Sequence, residues 1–232
     1  MASSRRFSVL AAASLAAVLL LAAASGAFAR RHRQPQPRPI VHADVASTAA
    51  TVKPPPLLKC TKPLLKDYSK SVVIANGLFL HWNITDAKDG IIAALEAKKG
   101  SGGEKGWLSI GWSGGKPGGR MMFPSDVVVG NHVVVGSTAV KPTDVLAYSM
   151  TKDNLSGIKR TAAVILSDTS VVSVGGGRII KFTRKGAGGV ASQAVSYESG
   201  VTTTMIWAFS TTPAFKTHTK KGAFSVNLGC TV

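Results

Sequence analysis

The chain has 232 residues, 45% of them hydrophobic, and 24 glycines, which suits one domain of ordinary size behind an N-terminal extension. A formal charge of +17 raises the question of nucleic acid. Four arginines (Arg30, Arg31, Arg33, Arg38) crowd one proline-rich stretch and two more sit in the leader, while the lysines lack the aromatic interleaving of a nucleic-acid surface, so no nucleic-acid partner is expected.

Residues 1–29 carry the three parts of a secretory signal peptide: Arg5 and Arg6, an apolar run from Phe7 to Ala24, and Ala27-Phe28-Ala29 as a small-residue cleavage site. The protein is therefore expected to be secreted and extracellular, with membrane attachment only if the signal stays uncleaved. Residues 30–58 include Gln34-Pro35-Gln36-Pro37 and Pro54-Pro55-Pro56, with too few large apolar groups to fold alone. They are expected to form a basic, Pro-rich disordered arm. The folded domain is expected over residues 59–232.

From Leu78 onward, short β-rich runs alternate with turn signals. Phe79 to Ile84 places Phe79, His81 and Asn83 on one face and Leu80, Trp82 and Ile84 on the other. Ile91 to Lys98 has helix-forming composition, yet its length and neighbours favour a strand. Trp107 to Trp112, Ser125 to Gly130, His132 to Val135, Val145 to Met150, Ala162 to Ser167, Ser170 to Val174, Arg178 to Arg184, Met205 to Ser210 and Ala223 to Leu228 follow. About ten short strands without a long helix predict an all-β fold, an antiparallel β-sandwich or barrel. The most distinctive stretch is Gly106 to Gly130, where Gly114, Gly115, Gly118 and Gly119 surround Pro117 and lead to Met121 and Met122.

The two cysteines, Cys60 and Cys230, lie near the two ends of the folded part. In an oxidising compartment such a pair is most simply a disulfide. Two sequons, at Asn83 and Asn154, fit a secreted chain, and whether either carries a glycan is left open.

No enzyme constellation is present: there is no Gly-x-Ser-x-Gly elbow, no His-Glu-x-x-His helix, no Walker phosphate loop and no dinucleotide-binding motif. A non-enzymatic electron-transfer or ligand-binding domain is the better expectation. Asp126, the one acidic residue of the distinctive stretch after its first strand, is expected to hold the loop rather than to catalyse. What remains is a set of soft and borderline ligands, five methionines and five histidines. A Met and a His facing each other across a crevice would fill both axial positions of a low-spin haem.

The motifs Leu80 to Ile84 (LHWNI), Gly106 to Ser113 (GWLSIGWS), Met122 to Gly130 (MFPSDVVVG), Arg178 to Arg184 (RIIKFTR), Met205 to Ser210 (MIWAFS) and His218 to Leu228 (HTKKGAFSVNL) together resemble the DOMON domain. The resemblance is to its secreted haem-binding branch, which includes plant auxin-induced apoplastic cytochromes and the cytochrome domain of cellobiose dehydrogenase. It implies an immunoglobulin-like sandwich with a non-covalent haem b at one end. Carried onto this chain, it implies axial ligation by His218 and Met122, with Met121 as the alternative because neighbouring strand residues face opposite sides. Phe123-Pro124 departs from the small residue and glycine common in haem-binding members. The implied function is single-electron transfer in the apoplast or cell wall, with ascorbate or a membrane cytochrome as redox partner; separately, the positive charge would favour an anionic cell-wall polysaccharide as a surface partner at low ionic strength. The alternative is a haem-free module binding carbohydrate or another small ligand, with Trp107, Trp112 and Phe215 as stacking aromatics.

Overall fold

The computed structural model describes residues 53–86, 90–114, 123–133, 140–152, 155–185 and 197–232. The expected signal peptide, nearly all of the arm, Met121, Met122 and Asn154 lie outside the described residues. Twelve strands and one 3-10 turn, Leu155–Gly157, make up the regular structure described. They are β1 (Leu57–Leu58), β2 (Lys70–Ala75), β3 (Leu78–Asp86), β4 (Gly90–Ala97), β5 (Leu108–Ser113), β6 (Ser125–Gly130), β7 (Val145–Met150), β8 (Ile158–Arg160), β9 (Ile165–Val174), β10 (Gly177–Lys185), β11 (Thr203–Phe209) and β12 (Lys220–Val226).

These strands form two sheets, as an antiparallel sandwich requires. One has seven strands in the order β1-β12-β11-β5-β6-β7-β8, and the other has five in the order β2-β3-β4-β10-β9. Every pairing is antiparallel except that of β1 with β12, where Leu57 and Leu58 oppose Ser225 and Val226. The first sheet contact therefore falls in the last two residues of the expected arm. Ile91 to Ala97 is a strand, as its context implied, and pairs on both sides with β3 and β10.

Strands β1, β2 and β8 are not among the strands expected from the sequence, and of these β2 is the longest. Its signal was present: Asn76-Gly77 joins β2 to β3 as a two-residue turn between Ala75 and Leu78, with Gly77 at φ 71°. The same device joins β9 to β10, where Gly175 (φ 58°) and Gly176 (φ 78°) lie between Val174 and Gly177. The runs at Ala162 to Ser167 and Ser170 to Val174 merge into the single strand β9, bent where Asp168 takes φ 51°. His132 to Val135 does not become a strand in its described part; Val133 makes one isolated bridge with Ala214.

The core between the sheets follows from alternation. Leu78, Leu80 and Trp82 of β3, Ile91, Ala93 and Leu95 of β4, and Ile180 and Phe182 of β10 meet Leu108, Ile110 and Trp112 of β5 and Phe224 and Val226 of β12. Trp82 is fully buried and its indole Nε1 donates to the Leu228 carbonyl at 2.9 Å, tying the C-terminal segment to the core. Cys60 and Cys230 form a disulfide with Cα atoms 6.6 Å apart, which fits an oxidising compartment. Asn83 uses both ends of its amide, accepting from Ser69 N at 2.6 Å and donating to the Asp67 carbonyl at 2.7 Å. No helix among the described residues is long and apolar enough to cross a membrane.

Candidate functional site

The central strands of the seven-stranded sheet are buried on both faces. Every residue of β5 and of β6 is buried, so neither strand shows the apolar-in, polar-out alternation of a half-exposed sheet. Something must therefore cover the outer face. It carries a second apolar cluster of Trp107, Val127, Val129, Tyr148 and Ile206, with Met150, Ile158, Ala208, Phe215 and Ala223 packed against it. Gly111 lets this floor close up: a Cβ there would stand 2.5 Å from Val127 Cγ1 and 3.2 Å from Ile206 Cγ1.

Part of the cover is the segment from Thr211 to His218. It is pinned by Val133 N donating to the Pro213 carbonyl (2.7 Å), Phe215 N to the Val133 carbonyl (2.9 Å), Trp107 Nε1 to the Ala214 carbonyl (3.2 Å) and Thr219 N to the Phe209 carbonyl (2.7 Å). Phe215 meets Trp107 edge to face at 5.4 Å. This strap leaves a shallow apolar depression of about 70 Å3, smaller than the roughly 300–1,000 Å3 of enclosed ligand and cofactor sites. Val127, Val129, Ile206 and Ala208 floor it, Met150 and Ile158 bound one side, and Phe215, Lys216 and half-buried His218 form its rim.

The structure thus brings His218 to an apolar site together with one thioether, that of Met150, which the sequence reading did not name. Met121 and Met122 lie outside the described residues; on either side of them Ser113 pairs with Ser125, and Gly114 N donates to the Pro124 carbonyl at 2.8 Å. Met150 pairs with Ser125 and so lies at that same end of the face. His218 follows the strap at the other end, where Phe209 pairs with Leu108, about 17 Å away along β5 at 3.3–3.4 Å per residue.

Asp126 is buried on the core side of β6, where its carboxylate accepts from the Ser149 hydroxyl at 2.9 Å. Of the three aromatics that would stack on sugar in the haem-free alternative, Trp107 (4% exposed) and Trp112 (1%) are core residues. Trp112 packs edge to face on Phe182 and under the Arg184 guanidinium, 4.5 Å from its ring centroid. Their faces are not presented to solvent.

Beneath the strap lies a second imidazole, His132. It is fully buried, its Nε2 is 2.7 Å from the Tyr148 hydroxyl, and its ring contacts those of Tyr148 and Phe215 at 5.5 and 5.2 Å. Burial pushes its pKa down to about 4, with Arg160 acting in the same direction and Asp144 against it. An unfolded histidine titrates near 6.5, so between about pH 6.5 and 4 the unfolded chain binds a proton that the folded one refuses. Stability is expected to fall as pH drops through that window, by up to roughly 3 kcal/mol from this residue. An NMR titration should find the His132 imidazole neutral down to about pH 4, and a midpoint near 6.5 would contradict its burial.

No protein-family model matches the chain, and no curated protein matches it in sequence. Among solved structures, the chain is similar to the cytochrome b domain of pyranose dehydrogenase from Coprinopsis cinerea. The two share 10% identity at a TM-score of 0.39, over 72% of this chain and 80% of that one.

Proposed function

We propose that this chain is a secreted b-type haem protein that transfers single electrons, with the macrocycle against the outer face of the seven-stranded sheet and His218 as one axial ligand. The observation that carries this reading is the apolar outer face with a half-buried imidazole at the rim of its shallow depression, over which, rather than within which, a macrocycle would lie. Haem, when bound, supplies a one-electron couple, and two filled axial positions leave no open site for oxygen chemistry. The chain's own residues supply the rest. Val127, Val129, Ile206 and Ala208 would supply an apolar floor for the group, and contact with it would raise the reduction potential by disfavouring the more highly charged oxidised state. Met122 is proposed as the second ligand, with Met121 as the alternative. This assignment requires the segment between Gly114 and Phe123 to cross the outer face toward His218. Ascorbate or a membrane cytochrome is the proposed redox partner.

The haem-free alternative, a module for carbohydrate or another small ligand, would use the same depression, but the burial of Trp107 and Trp112 removes two of its three stacking aromatics. A haem titration followed at the Soret band tests the assignment. His218→Ala is expected to weaken binding by more than the roughly 10- to 100-fold typical of losing an outer-shell partner. Met122→Ala should retain binding but lose the six-coordinate low-spin spectrum. Unchanged spectra in both variants would overturn the assignment.

A further inference from the structure

Away from the apolar depression, an open groove of about 320 Å3 runs along one end of the five-stranded sheet, where β4 ends and the β9–β10 turn begins. Three cations line it: Lys98, Lys99 and Arg178. Two of them are held in place. The Lys98 ammonium sits 4.5 Å from the Phe79 ring centroid, and Arg178 donates from Nε to the Glu104 carbonyl (3.0 Å) and from Nη1 to Asn131 Oδ1 (2.6 Å). Neither Lys98 nor Lys99 makes an ion pair among the described residues. One carboxylate faces the groove, that of Glu96, and it is already engaged 2.9 Å from His81 Nε2. Three cations against one carboxylate leave a positive groove. Gly175 adds no side chain to its wall, and a Cβ there would meet open space.

The geometry points to a binding groove for a carboxylate-bearing polysaccharide, with Lys98, Lys99 and Arg178 receiving successive carboxylates and the glycine turn letting the polymer lie against backbone. An open groove admits a chain that passes through rather than a ligand that must be enclosed. Nucleic acid is the poorer fit, because the one aromatic ring beside the cations, Phe79, is covered by Lys98 and offers no face for a base. The disulfide also favours an extracellular polymer. This groove is independent of the haem reading.

Affinity electrophoresis of the full chain through gels containing polygalacturonate tests it. The wild-type protein should be retarded, and the retardation should weaken with added salt. Lys98→Gln/Lys99→Gln is expected to lose about tenfold in affinity, or 1.4 kcal/mol, while the control pair Lys152→Gln/Lys159→Gln, between β7 and β8 and in β8 of the other sheet, changes it less than about twofold. Because all four lysines are on the surface, thermal melts should confirm that both variants fold; Lys99→Gln alone should show a partial loss if the double variant does not. Equal losses in the two pairs would show a diffuse charge effect and overturn the groove. Absence of retardation, or tighter binding to single-stranded DNA than to polygalacturonate, would overturn it as well.

Discussion

Replacing Cys60 and Cys230 together by serine is expected to lower the melting temperature by about 5 to 20 °C. The bridge spans 170 residues, so the loop-closure model assigns it roughly 5 kcal/mol, and removal of a native disulfide typically costs 2–5 kcal/mol. For a domain of this size each kcal/mol moves the midpoint by about 2–4 °C. A local effect adds to the global one. The parallel strand β1 has only two residues, Leu57 and Leu58, and Cys60 anchors it two positions later to the segment that follows β12. Hydrogen exchange should therefore show loss of protection first in β1 and in the Asn227–Cys230 turn, whose Cys230 N donates to the Asn227 carbonyl. A melting temperature within about 2 °C of wild type would mean that the bridge constrains the unfolded chain far less than its span implies.

Ala208→Phe is expected to abolish most ligand binding at the outer-face depression without unfolding the domain. Ala208 lies on β11 opposite Ser109 and Lys221, is half-buried, and looks into the depression rather than into the core between the sheets. A phenyl ring there occupies space that a flat ligand needs. Displacing about 100 Å2 of apolar contact at roughly 25 cal/mol per Å2 costs about 2.5 kcal/mol, or nearly two orders of magnitude in affinity. Because Ala208 is only half-buried and lies outside the core between the sheets, the ring can lean toward solvent, most of the overpacking penalty of a filled core is avoided, and the melting temperature should stay close to that of wild type. Haem affinity unchanged in Ala208→Phe would place the ligand elsewhere.

The sandwich was legible in the sequence because its signals are local. Alternation in Phe79 to Ile84, the β-branched run Val127 to Val129 and regularly spaced turn residues each report on a strand without knowledge of its partners. Asn76-Gly77 was equally legible as a hairpin turn and would have revealed β2. Pairing order is another matter: β11 lies between β12 and β5, and that placement rests on contacts almost a hundred residues apart. The functional face was legible only in outline. His218 stands out as an imidazole ahead of the last strand, but its apolar surroundings come from β6, β7, β8 and β11, brought together by the sheet order. Met150 carried no signal of its own, being the last residue of an ordinary strand. The full burial of both faces of β5 and β6 did have a trace, the unalternating VVV run, which fits a strand covered on both sides. Trp107 and Trp112 suited either a core or a sugar-stacking role, because composition cannot tell a core indole from an exposed one, and their burial decides for the core.

The most direct test of a haem site on this face is the absorption spectrum of the full-length protein after reconstitution with haem, recorded oxidised and then reduced. Stoichiometric binding with a sharp Soret band, resolved α and β bands on reduction, and the far-red charge-transfer band of a methionine-ligated ferric haem is expected. Absence of a Soret shift at saturating haem, or a spectrum identical in His218→Ala, would contradict it.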